Sequence, residues 1–216
     1  AGASLYDLDT GLAVAAPSDG TPKTDLATNG DITVTEQVGD LLVGHIHSTA
    51  GDVTLVSPAR ILDADGLPSI DITAESLTMN SGEATDETAS PAQGGIGVAT
   101  DFLEINVDRN NNGGVLNAFD NRAATAAHSG IYLSELTGAM QVDMVTSLTD
   151  VSLRTVSGSI LDARNGGSGD TAANVIGQTV ALDANGAGAN IGASGNDLEI
   201  DSRVGSAAGL DDVSIE

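Results

Sequence analysis

The sequence contains no cysteine and no tryptophan, and only two phenylalanines and two tyrosines occur among its 216 residues. The absence of cysteine excludes disulfides and thiolate metal sites. The scarcity of aromatic residues argues against propellers and immunoglobulin-like sandwiches, because their blades and cores use recurring aromatic side chains. A core of this chain must therefore be built from valine, isoleucine, leucine and alanine.

Basic residues are also scarce, since seven Lys and Arg stand against 31 Asp and Glu and leave a formal net charge of −24. Nucleic acids and anionic membrane surfaces are bound by clustered Lys and Arg, so neither is expected as a partner. High acidity keeps a protein surface soluble, and it also suits saline or calcium-rich surroundings. No apolar run approaches a transmembrane span, and the opening AGASLYDLDT lacks the basic and apolar regions of a signal peptide.

The chain does contain a repeated pattern. The segment ITVTEQVGDLLVGHI (32–46) matches IYLSELTGAMQVDMV (131–145) without a gap. Three further matches follow in the same order: DVTL with DVSL, ILDA with ILDA, and Ile-Gly followed by Leu-Glu-Ile in both copies. Four ordered matches predict a degenerate internal repeat. We name residues 32–130 the first repeat and residues 131–216 the second repeat, within one domain that spans 1–216.

Inside each repeat, apolar and polar residues alternate with period two, as in DVTLV, FLEINV and DLEIDS. This pattern is typical of strands with one buried face. Clusters of Gly, Asn, Asp and Ser separate these segments and supply turns, and no segment shows an amphipathic helical stripe. A solenoid suits this composition because aliphatic side chains fill its narrow interior. The sequence therefore predicts an elongated, all-β solenoid with these residues inside: Val53, Leu55, Leu103, Ile105, Val151, Leu153, Leu198 and Ile200.

Several segments resemble the passenger repeats of filamentous-haemagglutinin-like large bacterial exoproteins. The resemblance rests on GDVTLVSPARILDADG, SLTMNSGEA and GGIGVATDFLEI with their second copies, and it covers about residues 30–216. It implies a right-handed parallel β-helix that extends from a bacterial cell surface. The family's N-terminal secretion domain and its NPN motif are not visible in the chain, so the resemblance implies a shaft and carries over no catalytic residues.

The sequence thus favours a non-catalytic structural shaft of an extracellular adhesin or matrix fibre, without a cofactor. We expect it to continue, or to self-associate end to end, with another copy or module. The alternative is a calcium- or glycan-binding solenoid module, for which a host or matrix glycan is the partner. An enzyme is disfavoured because acid–base catalysis needs two acids that converge in one cleft. Repeat equivalence instead predicts that four acidic residues lie on the outside of separate coils: Glu36, Glu104, Glu135 and Glu199.

One segment predicts a calcium loop. In DRNNNGG, Asp108, Asn110 and Asn112 alternate ahead of Gly113, as oxygen ligands do in the first half of such a loop. The twelfth position holds Phe119 instead of a bidentate acid, so an Asn-rich turn is the competing interpretation. DADG (63–66) and GGSGD (166–170) are weaker versions of the same signal.

His45 and His47 alternate along a predicted strand, and paired imidazoles on one face can bind zinc. No carboxylate stands at an obvious ligand spacing from them. The neighbouring Val43 and Ile46 are apolar, so we expect the two imidazoles to point outwards into solvent.

Overall fold

The computed structural model describes residues 3–6, 23–82, 93–121, 130–164, 172–202 and 212–215. These residues form β-strands joined by turns and bends, with no helix among them. The first sheet has nine strands: β1 (Ala3–Tyr6), β3 (Ile32–Thr35), β5 (Val53–Val56), β8 (Leu77–Ser81), β10 (Leu116–Asp120), β12 (Met140–Thr146), β14 (Ile160–Asp162), β15 (Val175–Ile176) and β17 (Ile200–Asp201). The second sheet has nine: β2 (Thr24–Thr28), β4 (Leu41–Ser48), β6 (Ile61–Asp63), β7 (Ile72–Thr73), β9 (Leu103–Asn106), β11 (Ile131–Glu135), β13 (Asp150–Thr155), β16 (Thr179–Ala184) and β18 (Asp212–Ile215). The prediction of an all-β chain is confirmed for these residues.

The chain passes from one sheet to the other after every strand, except within the pairs β6–β7 and β14–β15. Along the main path of each sheet, each strand pairs in parallel with the next, as β3 does with β5 and β11 with β13. The short strands β6 and β14 lie off this path and pair with β4 and β12. Residues paired in this way are separated by 19 to 39 positions along the chain. The shortest separation joins Thr24 to Val43, and the longest joins Leu77 to Leu116. This parallel arrangement is compatible with a β-helix.

A single apolar cluster fills the space between the two sheets. Its members alternate along the strands, so in β5 Val53 and Leu55 are buried while Thr54 and Val56 are only partly covered. Six of the eight residues predicted to lie inside are buried with at most 1% exposure. The other two, Leu198 and Ile200, are partly buried and pack against the same cluster, so the predicted alternation is confirmed.

Glycine allows neighbouring turns of the chain to approach closely. A Cβ atom added to Gly158 would overlap the carbonyl group of Gly138, which lies in the corresponding turn twenty residues earlier. The turn at Gly158 is also fixed by Thr155, whose Oγ1 donates a hydrogen bond to the Gly158 carbonyl oxygen (2.5 Å). Only glycine fits at position 158 without movement of the backbone.

Equivalent strands of the two repeats lie in opposite sheets. Strands β3 and β5 of the first repeat belong to the first sheet, whereas their counterparts β11 and β13 belong to the second sheet. The pairing inside each repeat is nevertheless the same, since Leu41 pairs with Ile61 and Met140 pairs with Ile160. Between β3 and β11 the chain passes from one sheet to the other seven times. Because seven is an odd number, the two strands lie in opposite sheets.

Candidate functional site

The candidate site lies where a loop leaves the second sheet. The first half of β4 pairs with β6 and its second half pairs with β7, so residues 64–71 connect two short strands that lie at the same level of the sheet. Asp63 ends β6 and Asp71 directly precedes β7. The parallel pairing therefore places two acidic side chains at the base of this loop.

The three aspartates of this segment converge. Asp63, Asp65 and Asp71 each place a carboxylate oxygen within 4.8 Å of the others. Local hydrogen bonds hold the loop, because the Asp65 N–H donates to Asp63 Oδ1 (2.8 Å) and the Leu67 N–H donates to Asp65 Oδ1 (3.0 Å). The Glu104 N–H, on the neighbouring strand β9, donates to Asp71 Oδ2 (2.9 Å). We call Asp63, Asp65, Asp71 and Glu104 the acidic cluster.

Two members of the acidic cluster are unusually well buried for carboxylates, whereas Asp63 and Asp65 are partly exposed. Asp71 is 1% exposed and Glu104 is 4% exposed. Asp63 Oδ2 and Glu104 Oε2 are buried and accept no hydrogen bond. Buried ionised groups without partners are costly, so these oxygens need either protons or a positive charge.

One basic residue reaches the cluster. Arg154 Nη2 lies 3.6 Å from Glu104 Oε1, at the long end of an ion pair. The same guanidinium donates through Nε to Ser134 Oγ (3.0 Å) and lies 4.1 Å from the centre of the Phe102 ring. Arg154 is thus shared among three contacts and offsets only part of the negative charge.

The pKa values of the cluster reflect this burial. Desolvation raises the pKa of Asp71 to about 8, and the negative charges of Asp63 and Glu104 add to the rise. The hydrogen bond from the Glu104 N–H lowers this pKa but does not outweigh desolvation. Desolvation likewise raises the pKa of Glu104 to about 7, with Asp63 adding and Arg154 opposing. The pKa of Asp63 is raised for the same principal reason. Below neutral pH the cluster therefore retains protons that exposed carboxyl groups lose.

A shallow depression of about 220 Å³ opens beside the cluster. Glu104 and Arg154 line one side of it, and Gly66 and Asp101 line another. Glu104 is the member of the acidic cluster that lines this depression.

The predicted calcium loop has a different local geometry. Asp108 Oδ1 accepts hydrogen bonds from the N–H groups of Asn112, Gly113 and Gly114 (2.9–3.0 Å). Asn110 Nδ2 donates to Glu75 Oε2 (2.9 Å), so the side-chain amide of Asn110 binds Glu75 and not Asp108. These contacts are those of a side-chain-capped turn, and calcium binding by Asp108, Asn110 and Asn112 stays a prediction. The weaker candidate GGSGD (166–170) lies outside the described residues.

The two histidines lie side by side on β4, as their spacing predicts. Their rings stack with centroids 5.6 Å apart, and His45 is exposed. His47 Nε2 lies 3.0 Å from Arg109 Nη1. Partial burial, and then the positive charge of Arg109, lower the pKa of His47.

The expectation that four glutamates lie outside is wrong for three of them. Glu36, Glu104 and Glu135 are each at most 4% exposed, and Glu199 is partly buried. Glu36 and Glu135 close the turns that follow their strands: Glu36 Oε1 accepts from the Val38 N–H (3.4 Å), and Glu135 Oε1 accepts from the Thr137 N–H (3.3 Å). These two glutamates cap the turns and do not form a solvated surface.

Sequence reasoning found Asp63 and Asp65 in the DADG signal but missed Asp71 and Glu104. The usable signal for Asp71 was a third aspartate, six residues beyond Asp65, at the start of an apolar segment. No local signal joins Glu104 to this loop, because parallel pairing brings it there from 33 residues away.

Comparison with family models, curated proteins and solved structures finds no match for the chain. Among the described residues, no helix is long and apolar enough to cross a membrane.

Proposed function

We propose that the two sheets are faces of a right-handed parallel β-helix, and that the chain is a non-catalytic structural shaft segment of an extracellular bacterial adhesin or matrix fibre. The observation that carries this proposal is the alternation of the chain between two sheets, in each of which eight strands pair in parallel along one path. A chain wound into stacked coils has this pairing pattern. Right-handedness follows from the strong preference of parallel crossover connections for that hand.

Such an arrangement suits a mechanical role. Each sheet has eight successive strand levels, and strands pair about 4.8 Å apart, so the described levels form a body roughly 35 Å tall along the stacking direction. Backbone hydrogen bonds join every level to the next, and one apolar cluster runs between the sheets. Length is therefore gained by adding coils without changing the cross-section.

The extracellular, bacterial setting is supported by the resemblance of GDVTLVSPARILDADG and its companion segments to exoprotein passenger repeats. The absence of cysteine and the net charge of −24 fit an exposed, soluble shaft.

Small-angle scattering from the single chain and from a direct tandem fusion of two copies tests this proposal. We expect the maximum dimension to grow by about the height of one copy, roughly 35 Å, while the cross-sectional radius of gyration stays unchanged. A matched fusion with a flexible Gly/Ser linker should scatter as two hinged bodies instead. Direct fusions that also scatter as two independent bodies, or as one wider body, would rule the shaft out.

A further inference from the structure

We propose that Asp63, Asp65 and Asp71, with Glu104 beside them, bind one divalent cation, with Ca²⁺ as the preferred ion. The site concerns a loop of the fold itself, so it stands whether or not the chain belongs to a fibre.

The spacing of the ligand atoms fits a single ion. Calcium–oxygen distances of 2.3–2.6 Å allow two oxygens on one ion to lie at most about 5 Å apart. Asp63, Asp65 and Asp71 meet this condition together, since their carboxylate oxygens lie within 4.8 Å of one another. All four members of the cluster offer oxygen and none offers nitrogen or sulfur, which selects a hard cation over zinc. Carboxylates on an irregular loop also suit the flexible coordination of Ca²⁺ better than the strict octahedron of Mg²⁺.

A second observation points to a ligand. The Glu104 side chain is more than nine-tenths buried, and its Oε2 atom accepts no hydrogen bond. Its backbone N–H binds Asp71, and Asp63 contributes to the electrostatic field at its carboxyl group, so the side chain belongs to the cluster. Asp63 Oδ2 is a second buried oxygen of the cluster without a partner. A cation bound by the cluster would offset the negative charge on both carboxyl groups.

The second repeat contains the same backbone arrangement and serves as an internal comparison. The Ile46 N–H donates to the Asp71 carbonyl and the Val145 N–H donates to the Asn174 carbonyl, both at 2.7 Å. The Glu104 N–H binds Asp71 Oδ2, and likewise the Glu199 N–H binds Asn174 Oδ1 (3.1 Å). Asn174 therefore occupies the place of Asp71, and Glu199 occupies that of Glu104.

The two repeats differ in charge at the four matching positions. The sequence match ILDAD with ILDAR places Asp162 opposite Asp63 and Arg164 opposite Asp65. Four acids in the first repeat thus correspond to two acids, one arginine and one amide in the second. The formal charge with all acids ionised is −4 in the first repeat and −1 in the second.

The amide changes how the carboxylate beside it is neutralised. Asn174 Nδ2 donates to Asp162 Oδ1 (2.7 Å) and to the Val142 carbonyl (3.1 Å). Asp162 Oδ2 and Glu199 Oε2 still lack partners there, but an amide donor stands between the two carboxylates. Asp71 has no amide hydrogen, so it donates to a neighbouring carboxylate only when it is protonated itself. The second repeat has an amide donor in place of Asp71 and an arginine in place of Asp65, whereas in the first repeat Arg154 is the basic residue that offsets the four acids. A bound cation would offset the rest of that negative charge.

Thermal unfolding and calorimetric titration with CaCl₂, compared with EGTA, test the site at pH 7.5 in 150 mM KCl. We expect one ion bound per chain, and a Tm that rises by roughly 5–10 °C when calcium exceeds its Kd a hundredfold. MgCl₂ at equal concentration should give less than half of this shift, and an equal shift would overturn the ion preference. A parent chain that melts at the same temperature in calcium and in EGTA would overturn the site.

Two variants assign the ion to the cluster. Asp71→Asn should weaken calcium binding at least tenfold. The double variant Asp65→Arg/Asp71→Asn reproduces the second repeat, so it should lose the calcium shift and should melt in EGTA no lower than the parent does. If Asp71→Asn does not fold, Asp65→Asn, which changes only a loop side chain, should still weaken calcium binding several-fold with an unchanged circular dichroism spectrum.

The matched control is Asn112→Ala in the predicted calcium loop. We expect this variant to retain the full calcium shift. If Asn112→Ala abolishes the shift while Asp71→Asn retains it, calcium binds at residues 108–112 and the proposal for the acidic cluster is overturned.

Discussion

Leu153 lies in the middle of strand β13, where successive side chains point alternately into the core and outwards. Leu153 is fully buried, whereas Ser152 and Arg154 on either side are partly exposed. Because side chains alternate with period two, neighbouring positions on one strand sample two opposite environments. The same substitution at adjacent residues therefore separates the effect of burial from that of charge.

Leu153→Asp should lower the free energy of unfolding by about 4 kcal/mol or more, because it buries an unpaired charge and removes an apolar side chain. Ser152→Asp adds the same charge on the outer side and should cost about 1 kcal/mol or less. Urea unfolding of both variants measures the difference. Equal losses at the two positions would show that the strand has a different register.

Glu135 has its carboxyl group inside the protein. It is fully buried, Oε2 accepts from the Val107 N–H (3.0 Å), and Oε1 accepts from the Thr137 N–H. Burial outweighs these two hydrogen bonds and raises the pKa of Glu135 to about 8 from its ordinary value of 4.5. Between these two values the folded chain holds a proton that the unfolded chain has released.

The stability of the chain in EGTA should consequently fall as the pH rises from about 4.5 to about 8, because folding then takes up a proton. The contribution of Glu135 to the free energy of unfolding is fully present below pH 4.5 and is lost as the pH rises through about 8. Glu135→Gln should flatten this dependence, while Asp197→Asn, which removes an exposed carboxylate, should leave it unchanged. Urea unfolding at a series of pH values measures the slopes, and stability that increases over this range would contradict the assignment.

At the scale of strands and loops, the alternation of apolar residues predicted much of the fold. In ITVTE, Glu36 stands in phase with Ile32 and Val34, so period two alone would have placed it inside. The equivalence of the two repeats led to the opposite expectation. Glu104 is out of phase with its apolar neighbours yet is buried, because a loop folded from the adjacent level and Arg154 cover it. Such covering depends on contacts between levels, and local sequence patterns contain no information about them.

The turns depend on glycine for two different reasons. Gly138 has φ +86° and open space around its Cα, whereas Gly158 lies against the Gly138 backbone. An alanine at position 138 strains only the backbone dihedral angle. An alanine at position 158 must push two turns apart.

Gly158→Ala should therefore destabilise the chain by about 3 kcal/mol, at the upper end of overpacking costs. Gly138→Ala should cost about 1–2 kcal/mol, the penalty for a left-handed L-residue. Thermal unfolding of the two variants provides the comparison. A smaller loss for Gly158→Ala than for Gly138→Ala would contradict the close approach of these turns.

At the scale of the whole molecule, like charges lie close together. Strands stack at about 4.8 Å, well within the Debye length of about 10 Å at 0.1 M salt, so acids on successive levels repel one another. Asp31 and Asp52 illustrate how local hydrogen bonds offset this repulsion, since Asp31 Oδ1 accepts from the Asp52 N–H (3.0 Å) and Asp52 Oδ1 accepts from the Ser76 N–H (3.0 Å). The remaining repulsion acts over the entire surface, which carries a net charge of −24.

Raising the salt concentration from 10 to 500 mM should therefore raise the Tm by a few degrees in EGTA, because screening weakens the repulsion in the folded state more than in the expanded chain. NaCl and KCl should have equal effects at equal ionic strength. A Tm that falls with salt, or that responds to only one of the two cations, would show that screening is not the cause.

The exchange of sheets between the two repeats has a mechanical consequence. The loop after β6 leaves from the second sheet, and the matching connection after β14 leaves from the first. In a longer array of such repeats, each unit would be related to the next by a half-turn about the long axis, as in a two-fold screw. Any tendency of one repeat to curve the rod would be reversed by the following repeat, because its convex side faces the opposite way. In the shaft proposed above, asymmetric units arranged in this way would give a straight rod.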